Sequence, residues 1–232
     1  MEKLTLLHVT DFHFNTAYFN WVIKQLDTFD VLCLSGDLIE STKEKGQVEW
    51  VSHWLENISK PTFICSGNHD TEKINISNEE LLSLNSSIDD YSPDEWNDVT
   101  NFHSERERVN SFWMNNISNP LVHADNSITK INNIIIGCAP CDNPILRNFK
   151  NCDILLHHLP PDNTPTSIQK GKDWGCNELS IALKYDTITP KYILCGHVHE
   201  PDATEYTVKN TLIINPGAVF NAEEPPHHYL SL

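Results

Sequence analysis

The sequence is poor in basic residues and has no long apolar segment. Its 232 residues include 16 lysines and arginines against 32 aspartates and glutamates, which gives a formal net charge of −16 at pH 7. A chain this acidic repels nucleic-acid phosphates over most of its surface, so a module that coats DNA or RNA is disfavoured. No segment approaches the roughly 18 apolar residues that span a bilayer, so we expect no association with a membrane.

The sequence also lacks the cysteine spacing of a disulfide framework or a zinc ribbon. Seven cysteines are an odd number, and several lie in apolar runs, where cysteine behaves as a small buried hydrophobic residue. Cys138 and Cys141 have C-x-x-C spacing but no second pair, so a metal or redox role is disfavoured. The first apolar run (residues 4–10) meets Asp11 and His13 too soon for a signal peptide. We therefore predict a cytoplasmic protein.

Short apolar runs rich in β-forming residues recur along the chain. They cover residues 4–10, 31–35, 62–66, 133–138, 153–156 and 192–195. Amphipathic stretches at residues 20–29 and 47–58 separate the first three runs and predict helices, with Trp50, Trp54 and Ile58 on one face. Alternation of strands and helices at this spacing predicts an α/β layered domain.

The middle of the chain, residues 72–119, is polar and too short for a core of its own. We predict an inserted cap there, within a single domain that covers residues 1–232. Helix-like patches occur at residues 79–84 and 102–114. The cap aromatics are expected to pack against the main body, with a place in a substrate cleft as the alternative; they are Trp96, Phe102, Phe112 and Trp113.

The later part of the chain has mostly strand patterns. Two hairpins are predicted, one around Asn132 and one around residues 209–210. Residues 166–173 are predicted to form a loop and residues 177–184 a helix. The proline-rich tail is expected to lie extended on the surface with His227 and His228 exposed.

Polar side chains of metal-binding types directly follow five of the apolar runs. In chain order they are Asp11 and His13, then Asp37, then Asn68, His69 and Asp70, then His157 and His158, then His197 and His199. Ligands of open α/β sheets bind at the carboxyl ends of the strands. Aspartate, histidine and an asparagine oxygen suit Mn, Fe, Zn or Co. A bridging carboxylate typically holds two such ions about 3.5–4 Å apart, so the residues predict a two-metal site.

The order of these motifs, D-x-H, G-D, G-N-H-D, H-x-P-P and G-H-x-H, resembles the calcineurin-like metallophosphoesterase superfamily. Residues 215–218 resemble that family's closing N-P-G turn, and residues 173–200 are similar to the subgroup of animal MPPED proteins and their bacterial relatives. The resemblance implies a β-sandwich of two mixed sheets flanked by helices, here with a small inserted helical cap.

The resemblance also implies a role for each motif residue. One metal is expected to be bound by Asp11, His13 and His199, and the other by Asn68, His158 and His197. Asp37 is expected to bridge them, and His69 is expected to contact the phosphoryl group and protonate the leaving oxygen. His157 is the alternative to His158, because strand alternation forbids both side chains from pointing inward.

These roles imply an enzyme with two divalent metal ions per chain, Mn, Fe or Zn. We expect it to hydrolyse a small phosphodiester, such as a cyclic nucleotide or a nucleotide-like compound, by attack of a hydroxide held between the metals. A phosphomonoesterase is the nearest alternative. The charge disfavours a nuclease, and residues 36–40 lack the arginine expected of Ser/Thr protein phosphatases. A non-catalytic interaction protein is disfavoured because every motif position is filled.

Overall fold

The structure, a computed structural model, describes residues 3–75, 107–110, 112–142 and 144–232. The helices are α1 (Thr16–Lys24), α2 (Gln47–Glu56), α3 (Phe112–Asn115) and α4 (Asn177–Lys184), with a 3-10 helix at Leu146–Phe149. The strands are β1 (Thr5–Val9), β2 (Val31–Leu34), β3 (Thr62–Ile64), β4 (Glu72–Asn75), β5 (Glu107–Asn110), β6 (Val122–His123), β7 (Ile128–Ile131), β8 (Ile134–Cys138), β9 (Ile154–Leu156), β10 (Ile168–Gln169), β11 (Lys172–Asp173), β12 (Tyr192–Leu194), β13 (Glu205–Val208), β14 (Thr211–Ile214) and β15 (His227–Ser231).

The first sheet has five strands in the order β15-β1-β2-β3-β6. All neighbours are parallel except β15, which pairs antiparallel with β1. The tail was expected to lie on the surface, and that expectation is wrong for its last residues, which form the edge strand of this sheet. His227 and His228 are half-buried rather than exposed.

The second sheet has six strands in the order β13-β14-β12-β9-β8-β7. Its four central strands are parallel, and each edge strand is the antiparallel arm of a hairpin. Both predicted hairpins are present. Their turns contain Asn132 and Lys209, with φ of 54° and 53°, in the left-handed region that short hairpin turns require.

The two sheets pack face to face over a shared apolar core. Leu6 and Phe63 of the first sheet contribute to this core, together with Ile154 and Leu156 of the second, and all four are fully buried. The seven cysteines are free, and six of them are buried, as expected of small hydrophobic residues.

Helices cover the outer faces of both sheets. Phe19 and Leu55 pack with Leu32 on the outer face of the first sheet, and Leu179 of α4 packs with Ile193 on the outer face of the second. The architecture is therefore helix, sheet, sheet, helix, which confirms the predicted sandwich of two mixed sheets flanked by helices.

The helices differ in detail from the sequence prediction. α1 begins at Thr16 because the side chain of Asn15 caps it by accepting from the Ala17 N–H at 3.1 Å. In α2 the fully buried residues are Val51 and Leu55. Trp50, on the face that it was predicted to share with Trp54 and Ile58, is 38% exposed. It packs edge-on against an aromatic ring of α1, which the helical period alone does not reveal.

The predicted cap lies largely outside the described residues, including its helix at 79–84, Trp96 and Phe102. At its base the backbones of β4 and β5 pair antiparallel, so the predicted helix is wrong over Glu107–Asn110. Trp113 packs against the core of the main body, as expected. The single domain with a cap at residues 72–119 stays a prediction.

Two smaller findings complete the fold. β10 and β11 form a short hairpin in the predicted loop of residues 166–173.

Among the described residues, no helix has the length and apolar character needed to cross a membrane.

Candidate metal centre

The polar residues singled out from the sequence gather where the carboxyl ends of the two sheets meet. The first sheet supplies those after β1, β2 and β3, and the second supplies those after β9 and β12. Asp11, Asp37 and His197 have φ of 53°, 53° and 68°. Such left-handed backbone is uncommon outside glycine and persists only where its surroundings hold it.

Asp11, His13 and His199 form the first cluster. The Nε2 atoms of the two histidines lie 3.2 Å apart, and Oδ1 of Asp11 is 3.3 Å from His199 Nε2 and 3.8 Å from His13 Nε2. The backbone N–H of His197 donates to both carboxylate oxygens of Asp11, at 3.2 and 3.0 Å, and so holds this carboxylate in place.

Asp37, His158 and His197 form the second cluster. Oδ2 of Asp37 lies 3.2 Å from His158 Nε2. The same oxygen lies 3.8 Å from His13 Nε2 of the first cluster. The Asp37 carboxylate therefore stands between the two clusters.

Of the two adjacent histidines, the structure places His158 in a cluster. Its Nδ1 lies 2.7 Å from the Ser35 carbonyl, which accepts its proton and leaves Nε2 directed at Asp37. His157 instead places Nδ1 2.8 Å from the Leu159 carbonyl. Among the described residues, neither cluster includes His157, although it is fully buried.

Asn68 and His69 follow β3, and His69 contacts the site directly. The side chain of Asn68 is exposed. The backbone N–H of His69 donates to Asp37 Oδ1 at 2.9 Å, and its ring lies edge-on to that of His13 at 4.7 Å. His69 Nδ1 is 2.7 Å from the Glu40 carbonyl. If Nδ1 donates there, Nε2 is the nitrogen left for a substrate.

The electrostatics of the second cluster are dominated by one buried pair. Burial alone would lower the pKa of His158, but the Asp37 carboxylate raises that pKa to about 10. Burial likewise opposes charging of Asp37, yet His158 holds the pKa of Asp37 below its usual range. Burial lowers the pKa of His197 to about 4, so this imidazole is neutral at pH 7.

In the first cluster the histidines shift in opposite directions. Burial lowers the pKa of His13. The pKa of His199 is raised instead, because His199 forms a hydrogen bond with Asp11. Burial opposes ionisation of Asp11, but the same hydrogen bond keeps the pKa of Asp11 below its ordinary value.

Asp70 supports the site, although the sequence motif implied no role for it. Its buried carboxylate accepts from the N–H groups of Leu38 and Ile39 at 3.0 and 3.2 Å, and from that of Gly67 at 2.9 Å. It thereby ties together the loops that carry Asp37 and Asn68. Burial, followed by the charge of Asp37, raises the pKa of Asp70 to about 8. In the sequence, Asp70 is marked only by its position as the last residue of the G-N-H-D motif.

Glu40 is a second residue without a predicted role. Its Oε2 lies 3.3 Å from Nδ1 of His13. Metal-binding histidines commonly have a carboxylate at the second ring nitrogen, where it fixes the ring orientation. In the sequence, Glu40 is only one residue of the segment after Asp37, and no motif spacing marks it.

Gly196 shows why glycine precedes a functional residue here. Its φ is not in the left-handed region, so turn conformation is not the reason. A Cβ atom at this position would collide with Thr10 Oγ1 and Asp11 Oδ2. The glycine lets the chain pass close beside the Asp11 carboxylate.

The residues fit divalent cations. Four imidazoles and two carboxylates present ligand atoms within a few ångströms of each other. Imidazole and carboxylate are the ligand types of Mn, Fe and Zn. In the described part of the chain, no such cluster includes Cys138 or Cys141.

Similarity to known proteins extends over most of the chain. The sequence model of calcineurin-like phosphoesterases matches residues 4–201. The crystal structure of TT1561 of Thermus thermophilus superposes with a TM-score of 0.57 at 13% identity, covering 93% of this chain and 90% of that one. A conserved protein of Streptococcus pneumoniae TIGR4, described as a predicted phosphoesterase, gives a TM-score of 0.42 at 11% identity over 100% and 84% of the two chains. No curated protein sequence matches significantly.

Proposed function

Because the chain belongs to the calcineurin-like phosphoesterase family and is a metal-dependent phosphoester hydrolase, we propose that it hydrolyses a small phosphodiester at the two clusters. The observation that carries the proposal is the Asp37 carboxylate, which lies 3.2 Å from His158 and 3.8 Å from His13. One buried carboxylate within reach of two sets of imidazoles is what a two-metal phosphoesterase requires.

We assign the metal ligands by cluster. Asp11, His13 and His199 would hold one ion and His158, His197 and Asn68 would hold the other, with Asp37 within reach of both sets. Mn, Fe or Zn suits this set of oxygen and nitrogen ligands. When bound, two divalent ions would supply an activated water and would offset negative charge on the phosphoryl oxygens.

The chain's own residues complete the site. Asp37 is oriented by the His69 N–H, and His158 by the Ser35 carbonyl, so hydrogen bonds from the chain itself set the orientation of both side chains. His69 is assigned as the proton donor. In the doubly protonated ring, Nδ1 donates to the Glu40 backbone carbonyl and Nε2 can give its own proton to the leaving oxygen as the P–O bond breaks, which leaves a neutral imidazole.

The net charge of −16 favours a small diester over other phosphoesters. A diester carries one negative charge at neutral pH, whereas a monoester carries close to two and a nucleic acid many. Repulsion by the outer surface therefore penalises a diester least. A phosphomonoesterase with the same site is the second candidate. With an odd number of cysteines, most of them buried, we also place the enzyme in the cytoplasm.

The test is hydrolysis of bis(4-nitrophenyl) phosphate and of 4-nitrophenyl phosphate by protein stripped with a chelator and then reloaded with Mn²⁺. We expect chelation to abolish turnover of the diester, Mn²⁺ to restore it, and the diester to be preferred. His69→Ala should lower kcat by about 10²–10⁴-fold, and His53→Ala, at an exposed position of α2, should not. Full activity after stripping, or preference for the monoester, would refute the proposal.

A further inference from the structure

Phe220 is an exposed aromatic residue directly beside the metal centre. Its side chain is 62% exposed, although its ring centroid lies 4.9 Å from that of His199 and 5.8 Å from that of His13. One part of the ring thus covers two imidazoles of the first cluster, and the rest faces solvent. An apolar ring left open at a polar site suits contact with a ligand better than packing of the core.

The loop that carries Phe220 is anchored on both sides of it. The hydroxyl of Tyr18 donates to the carbonyl of Val219, and the side-chain amide of Asn15 donates to the carbonyl of Ala222 at 3.0 Å. Both donors belong to α1 or its cap, which packs on the first sheet. The exposure of the ring is therefore set by a fixed loop.

A cleft of about 440 Å³ lies between this loop and residues 11–18. Pockets for small molecules typically measure roughly 300–1,000 Å³. Asp11, His13 and Phe220 are all among the residues that line this cleft. A ligand with phosphorus at the metal centre can therefore extend a substituent along Phe220.

Trp174, on the other flank, is less suited to this contact. Its ring lies 6.4 Å from that of His197 and is 43% exposed. The ammonium of Lys172, however, lies 3.4 Å from its ring centroid. One face of Trp174 is therefore already occupied by a cation.

We propose that Phe220 determines specificity by stacking on a planar aromatic group, an aryl ring or a nucleobase, attached to the substrate's phosphoryl group. The inference rests on the proposed function and narrows its substrate class. Aromatic rings prefer offset-stacked or edge-to-face contacts, and a base stacked on an aromatic side chain typically gains about five- to 150-fold in affinity.

The test uses two phosphonates that the enzyme cannot hydrolyse, phenylphosphonate and methylphosphonate, titrated calorimetrically into Mn²⁺-loaded protein. The wild type is expected to prefer the phenyl compound. Phe220→Ala and Phe220→Leu should reduce that preference at least fivefold, with binding of methylphosphonate unchanged. Phe220→Tyr, which keeps the ring, should retain it. Tyr206→Ala, which removes an exposed aromatic side chain of β13, is the matched control.

Two results would overturn the stacking role. One is a wild type without preference for the phenyl compound, and the other is a preference that survives in Phe220→Ala or Phe220→Leu. Survival in the leucine variant alone would indicate apolar contact without stacking. Because binding is measured without turnover, a preference that depends on Phe220 in a protein unable to cleave diesters would refute the proposed function and still support this inference.

Discussion

Nε2 of His158 lies 3.2 Å from Oδ2 of Asp37, and the two residues follow strands of different sheets. The ring of His158 is turned toward the carboxylate by the carbonyl of Ser35, which directly follows β2 of the first sheet. The metal centre is therefore assembled across the interface of the sandwich, with part of its ligand set on each side.

We predict that His158→Ala loses a metal ion and His157→Ala does not. His158 presents Nε2 to Asp37, whereas His157 bonds to Leu159 and belongs to neither cluster of the described residues. Loss of a metal ligand should weaken Mn²⁺ binding by at least the 10–100-fold typical of residues that only support a ligand. Metal analysis and calorimetric titration measure this. Loss of a metal in His157→Ala with full occupancy in His158→Ala would reverse the assignment.

Asp70→Ala should destabilise the protein and weaken metal binding. The substitution leaves three buried N–H groups without their acceptor, and each orphaned donor costs about 1–3 kcal/mol. Asp70→Asn keeps one acceptor oxygen and should be intermediate. Urea unfolding gives the free energies, and Asp27→Ala, at an exposed position, is the control. An alanine variant as stable as the wild type would contradict the role given to this carboxylate.

Gly196→Ala should reduce metal affinity more than Gly171→Ala. A methyl group at residue 196 meets Thr10 and Asp11, whereas at residue 171 it meets nothing within 4 Å. Gly171 has φ of 76°, so its substitution strains the backbone by roughly 1 kcal/mol without touching the site. The measurement is the Mn²⁺ dissociation constant of each variant. Equal affinities in the two would show that close approach at Gly196 is unimportant.

His8 should make stability depend on pH below neutrality. Its Nε2 lies 2.8 Å from Ser35 Oγ, and burial, with a smaller effect of His228, lowers its pKa from 6.5 to about 3. Between pH 6.5 and about pH 3, His8 is protonated in the unfolded chain but not in the folded chain. The free energy of unfolding therefore falls as the pH is lowered through this range. One such group contributes a slope of at most about 1.4 kcal/mol per pH unit.

His8→Gln removes this titration and keeps a polar group near Ser35. The variant is therefore expected to show a shallower loss of stability than the wild type between about pH 6.5 and pH 4. Urea unfolding at several pH values compares the two slopes. If the slopes are equal, His8 does not titrate as its burial implies.

Much of the fold followed from local sequence. Runs of β-forming residues placed most strands within a residue or two, and the hairpin around Asn132 followed from one polar residue between two such runs. The clustering of Asp11 with Asp37 was predictable because parallel strands bring their carboxyl ends to one edge. Each of these inferences uses residues that are near in sequence or a rule that holds for any parallel sheet.

Other features depend on contacts between distant residues. The strand β15 is defined by pairing with β1, and its polar sequence, which includes His227 and His228, has no strand-like alternation. The buried face of α2 is set by the position of Phe19 on α1. The position of Phe220 depends on anchors from Asn15 and Tyr18. These contacts join residues that are far apart in the sequence, so the periodicity of the sequence does not predict them.

A ligand set divided between two sheets makes the site sensitive to the core beneath it. Phe63 and Ile154 are fully buried between the sheets and belong to neither cluster of the residues that the structure describes. A change of volume at either position alters how one sheet lies on the other, since cores are too closely packed to absorb it locally. The distance between the two clusters thus depends on the packing of hydrophobic side chains. A core substitution that shifts one sheet against the other is expected to change the affinity for cations.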